Sequence, residues 1–156
     1  ANRILAGHLD ARSFITMSYA VVDVDRGTMT YARAGHTPLL HLPAGPDATS
    51  QAHVADGMVL GLKFDNGELF ERVLEERTVP LTPGDWWVFY TDGVSEAMNA
   101  DEDCYGETRL GLALEAGRDR SCDAVRDLVL GDIGTFVAGA PQHDDMTMVL
   151  LRVDDV

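Results

Sequence analysis

The sequence predicts an α+β fold with mostly antiparallel sheets. Segments rich in Val, Ile, Tyr, Phe and Trp dominate the first ninety residues, two helical segments follow, and an apolar strand closes the chain. Segregation of this kind separates α+β from the alternating βαβ pattern. The run "SFITMSYAVVDV" is joined to "TMTYARA" by the short turn "DRG", which reads as an antiparallel hairpin. At 156 residues, 46% apolar and 24% charged, the chain suits one globular domain spanning 1–156.

The elements follow in order. Residues 2–9, "NRILAGHL", place Ile4, Leu5 and Leu9 on one face and read as the tail of a helix. The hairpin strands come next, with Gly27 free to take a positive φ in the turn. "AGHTP" (34–38) is a break and "LLHLP" a short strand, followed by the loop "PAGPDATS". Residues 51–62, "QAHVADGMVLGL", read as a strand pair or as a strand with a glycine-bounded turn. "ERVLEERTVPL" (71–81) alternates apolar and charged residues and predicts a half-exposed strand. "TPGD" is a turn with Pro at its second position, leading into the buried strand "WWVFY". Composition favours a helix over 106–116. A clearer one covers 121–139, with Ser121 as N-cap, a stripe of Val125, Leu128, Val129, Ile133 and Val137, and a stop at Gly139 and Pro141. "MTMVLLRV" is the last strand.

Charge narrows the function classes. Twenty-six acids against 12 Lys and Arg give a net charge of −14. That balance argues against nucleic acid and against an anionic membrane surface, both of which demand a basic face. No apolar run reaches the length of a membrane span, and "ANRILAGHLD" lacks the basic opening and apolar stretch of a signal peptide. Cys104 and Cys122 fit neither a CxxC pair nor a zinc knuckle and read as incidental thiols of a reducing cytoplasm. An anionic substrate would need positive charge from elsewhere, and a divalent cation is the obvious source.

The carboxylates point the same way. Asp92 follows one strongly apolar strand in "WWVFYTDG", and Asp144 and Asp145 precede another in "HDDMTMVLLRV". If those two strands are central, antiparallel neighbours, the three carboxylates converge. Carboxylates gathered this way repel one another, and a hard cation such as Mg²⁺ or Mn²⁺ removes that penalty. Gly93 permits a close approach beside Asp92. Taken singly, Asp-Gly is a turn and Asp-Asp a solvated loop; taken together, at the ends of two apolar strands, they suggest a metal centre. His143 and Glu96 are nearby candidates for supporting roles, against solvated or capping ones. His36 in "AGHTP" reads as ligand, general acid or structural group. The Trp86–Trp87 pair reads as core.

"YARAGHTPLL", "LGL" at 60–62, "VPLTPGDWWVFYTDG", "YTDGVSEAMN" and "HDDMTMVLLRV" together resemble bacterial SpoIIE-type phosphatases, of the RsbU-like branch of the PPM, or protein phosphatase 2C-like, group. The resemblance runs from about Phe14 to Val153. It implies an αββα sandwich, two antiparallel sheets flanked by helices, with a two-metal Mn²⁺ or Mg²⁺ centre. It further implies that Asp92 and Asp144 match metal-binding aspartates, with Asp145 a weaker match beside them. The implied chemistry is attack of metal-bound water on phosphoserine or phosphothreonine, and the implied substrate is a STAS-type anti-sigma-factor antagonist. The family's first metal motif, an Asp followed by Ser-Gly-x-Gly, is expected before "ANRIL" and is not in this sequence. The chain also starts without Met and in mid-helix, so the expectation is the C-terminal three quarters of a domain. Two other readings stand beside this one: a pseudophosphatase that binds protein without catalysis, and a metal domain with other phosphoester chemistry.

Overall fold

The computed structural model describes residues 1–10, 12–63 and 67–154. They fall into two compact units, Ala1–Pro38 with Val54–Leu81, and Leu39–His53 with Thr82–Val156.

The first unit begins with helix α1 (Asn2–His8) and the hairpin of β1 (Met17–Asp23) and β2 (Thr28–Ala34), paired antiparallel from Met17 opposite Ala34 to Asp23 opposite Thr28. The turn is built as its residues demand: Asp23 Oδ1 accepts from the Arg26 N–H at 3.0 Å and Gly27 takes φ +60°. Strand β5 (Glu76–Pro80) pairs antiparallel with the other edge of β2, giving the order β1-β2-β5. Met29, Tyr31 and Ala34 of β2 are buried.

One expectation needs correcting here. The half-exposed strand read over 71–81 exists only from Glu76. The residues before it form helix α2 (Glu68–Val73). Leu69, Phe70 and Val73 are half-buried on one side of α2 while Glu68, Glu71 and Arg72 are exposed, so the short run satisfies a helical period as well as a strand's. Of the two readings of residues 51–62, the strand pair does not form and a single strand does. Only β4 (Gln51–His53) is a strand, and Leu60 forms a single bridge with Ile15 through two backbone hydrogen bonds of 2.8 and 3.0 Å.

The second unit holds the other sheet, in the order β4-β3-β6-β7, all antiparallel. It contains β3 (Leu39–Leu42), β6 (Trp86–Tyr90) and β7 (Met148–Arg152). Strand β6 is internal, as its unbroken apolar run predicts. Strand β7, expected to be central, lies at the end of that order among the described residues, with Val149 56% exposed. Its apolar run, Met148–Leu151, is shorter than that of β6 and ends in Arg152, and a central or end place depends on what pairs with its other side.

Helices α3 (Asp92–Ser95), α4 (Gly106–Ala116) and α5 (Cys122–Val137) complete this unit. Ser121 caps α5 as expected, its hydroxyl accepting from the Ala124 N–H at 3.3 Å. Trp86, Val88 and Tyr90 pack with Leu110, Leu114, Val125, Val129 and Ile133 into one core, so α4 and α5 cover one face of the sheet. On the other face, Trp87 stacks on His41 of β3, with ring centroids 3.8 Å apart and planes within 3°. Tyr90 and Tyr105 donate to Glu107 (2.9 Å) and Asp132 (2.6 Å), and burial pushes both phenols well above their ordinary pKa. They therefore remain donors across the working pH range.

Candidate metal centre

The pairing of β6 with β7 sets the site. Tyr90 lies opposite Met148, so the chain leaving β6 runs past the chain entering β7. Thr91 fastens the two together. Its N–H donates to the Thr147 carbonyl at 3.0 Å, its hydroxyl donates to the Asp145 carbonyl at 3.0 Å, and that hydroxyl accepts from the Thr147 N–H at 2.9 Å. Thr91 was not singled out in the sequence. A side chain that clasps main chain more than fifty residues away leaves no local signal.

Asp92 and Gly93 open α3 instead of forming a loop turn. Asp92 Oδ1 accepts from the Gly93 N–H at 3.0 Å, and a carboxylate in a helix's first turn is electrostatically favoured. The glycine is required by space. A Cβ on Gly93 would collide with the Asp145 carbonyl oxygen and stand 3.3 Å from the Asp144 carbonyl carbon. The 144–145 main chain therefore sits directly on the first turn of α3, and only hydrogen at position 93 admits it.

The three predicted carboxylates are thus brought to one end of one sheet, and all three residues are exposed. Asp144 Oδ1 accepts from the Asp145 N–H at 2.7 Å, while the Asp144 carbonyl accepts from Gln142 Nε2 at 2.7 Å. Among the described residues, however, no group of three or more His, Cys, Asp or Glu is close enough to hold a metal ion. The donor type fits a hard divalent cation, but among the described residues the carboxylates do not make a complete ligand set.

Of the supporting candidates, Glu96 is the C-cap of α3, its N–H donating to the Asp92 carbonyl at 2.7 Å, and its side chain is exposed. His143 is exposed on the same loop as Asp144. Both border a cavity of about 310 Å³ that also reaches Gly93 and Asp144. His36 belongs to the first unit, where its Nδ1 lies 3.0 Å from Thr16 Oγ1 and its carbonyl accepts from Arg33 Nη1 at 2.6 Å. That is a structural setting for the end of β2. The cavity itself was missed in the sequence, although Gly134 inside α5 was a readable sign, since a glycine costs about 1 kcal/mol in a helix interior.

Comparison with known proteins gives this arrangement its relatives. Phosphoserine phosphatase RsbU of Bacillus subtilis (strain 168) is 30% identical over 154 residues, 97% of this chain and 42% of that protein. The solved SiaA-PP2C domain of Pseudomonas aeruginosa matches with a TM-score of 0.81 at 18% identity, over 98% of this chain and 58% of the other. The manganese-presoaked phosphatase domain of the cell fate determinant SpoIIE from Bacillus subtilis matches with a TM-score of 0.64 at 17% identity, over 89% and 56%. The chain therefore spans about two fifths of this curated relative and under two thirds of these solved chains, and its fold is that of the PP2C-like phosphatases. The family model for stage II sporulation protein E (SpoIIE) matches residues 1–154, and this chain belongs to the SpoIIE family.

Proposed function

We propose that this chain is part of a metal-dependent phosphoprotein phosphatase, which removes phosphate from phosphoserine or phosphothreonine on a regulatory protein. The partner is of the STAS-type anti-sigma-factor antagonist class, and the setting is the cytoplasm. Residues 1–156 form one phosphatase-type domain in this reading. The observation that carries it is the seating of the 144–145 main chain on Gly93, which brings Asp92 and Asp144 to one sheet end in a family that includes a named phosphoserine phosphatase.

Asp92, Asp144 and Asp145 would hold Mn²⁺ or Mg²⁺ together with ligands from outside this chain. A divalent cation there supplies positive charge for the phosphate and makes water more acidic. The chain's own residues do the positioning. Thr91 and Gly93 fix the two main-chain segments against each other, and the buried Tyr90 keeps the end of β6 rigid. Hydrolysis breaks the ester P–O bond, with water's oxygen joining the phosphate and a proton returning to the serine oxygen.

The test is phosphate release from a phosphoserine-bearing STAS protein by the full polypeptide that carries this chain, in Mn²⁺ and in chelator. Release that depends on the metal and falls roughly a hundredfold in Asp92→Asn, the scale of losing one electrostatic stabiliser, supports the reading. Release indifferent to chelator or to that substitution overturns it. Tight binding of the phosphoprotein with no release would identify the pseudophosphatase instead.

A further inference from the structure

Beside the carboxylates lies the cavity of about 310 Å³, at the small end of the range of ligand sites. Its walls are mostly apolar. Leu130, Ile133 and Val137 of α5 line it together with Ala97, Met98 and Met146. Leu130 is 46% exposed, so this part of α5 presents apolar surface that the core does not use. Gly134 also lines the cavity, and a Cβ built on it meets no atom within 4 Å. The helix therefore has a dent at the point where an ordinary side chain would fill the space. At one end the cavity shares Gly93 and Asp144 with the candidate metal centre, and Glu96 stands on its rim.

We propose that this cavity is a specificity site that takes an uncharged apolar side chain of the phosphorylated partner, close to its phosphoserine. The inference rests on the phosphatase reading for the identity of the partner. Three features select the occupant. The shared border means that a molecule whose phosphate reaches Asp92 and Asp144 has its neighbouring residues over the cavity. The apolar walls reward a Leu- or Met-sized group. The Glu96 carboxylate in the lining repels an acidic one.

The experiment uses the full polypeptide and phosphoserine peptides in which the flanking positions carry Leu, Gln or Glu. Binding is read by fluorescence anisotropy, and hydrolysis is read separately. Leu peptides should bind roughly tenfold tighter than Gln peptides, the usual discrimination of an apolar pocket, with Glu peptides weakest. Gly134→Leu, which fills the dent, should collapse the Leu-to-Gln ratio towards one, and Leu130→Gln should reduce it. Thermal melting confirms that each variant is folded. No Leu preference in the natural protein, or a preference that survives Gly134→Leu, overturns the proposal. Leu-dependent binding lost in Gly134→Leu but without any hydrolysis would keep the cavity site and sink the phosphatase reading.

Discussion

Position 93 shows how much one hydrogen atom can decide. The Asp145 carbonyl occupies the place of a side chain there, and both partners are main chain, so neither can rotate away. Gly93→Ala should cost about 1–3 kcal/mol of stability, the usual penalty of overpacking, and should weaken divalent-cation binding by pushing Asp144 away from Asp92. Gly134→Ala is the contrasting case. Its Cβ enters open space inside a helix, so it should stabilise by up to about 1 kcal/mol. Denaturant midpoints of the two variants check both signs, and equal effects would show that the close packing at Gly93 is unimportant. The aspartates were legible in the sequence because Asp-Gly and Asp-Asp each adjoin an apolar run. Thr91 was not, since its partners are 145 and 147 and only the register of two strands reveals them.

At the level of elements, β3, β4 and β6 meet in an aromatic stack. His41 lies flat on Trp87, His53 meets both rings edge-on, and His41 Nε2 is 3.3 Å from Asp85 Oδ2 without the alignment of a hydrogen bond. Burial holds the His41 pKa below the ordinary imidazole value, with the Asp85 carboxylate opposing that shift. The unfolded chain then binds a proton at higher pH than the folded one. Stability is therefore lost as pH falls from the unfolded pKa, about 6.5, towards the folded one. His41→Gln should flatten that part of the stability curve, measured by melting between about pH 7 and 5. An unchanged slope would assign the loss to other groups. This stack was illegible in sequence, because "LLHLP" reads only as a short strand. Helix α2 was misread for a related reason: six residues carry too few turns to separate period 2 from period 3.6.

For the whole molecule, a net charge of −14 requires a source of positive charge before any phosphate can approach. Cation binding that is specific to the native arrangement must also stabilise it. Mn²⁺ at a hundredfold above its Kd should add about 2.7 kcal/mol and raise Tm by roughly 5–10 °C, and Asp92→Asn should abolish the rise. A rise that persists in the variant would mean diffuse screening of the acidic surface, and no rise would mean that these carboxylates alone cannot retain the ion. The incompleteness of the ligand set among the described residues makes this the more demanding test.

The sequence alone determined the α+β class, the hairpin, the capped α5, the buried β6 and the placement of Asp92, Asp144 and Asp145 at the ends of two paired strands. Each rests on local periodicity or on motifs a few residues long. It also carried the family, since several separated motifs keep one order, and the SpoIIE match over 1–154 agrees. The tertiary structure alone decided that β7 ends its sheet among the described residues, that Gly93 supports the 144–145 main chain, and that a glycine of α5 lines a cavity beside Asp144. Each depends on which distant segment occupies the space beside a residue. Strand pairing and helix packing set that, and neither is written in the residue's own neighbourhood.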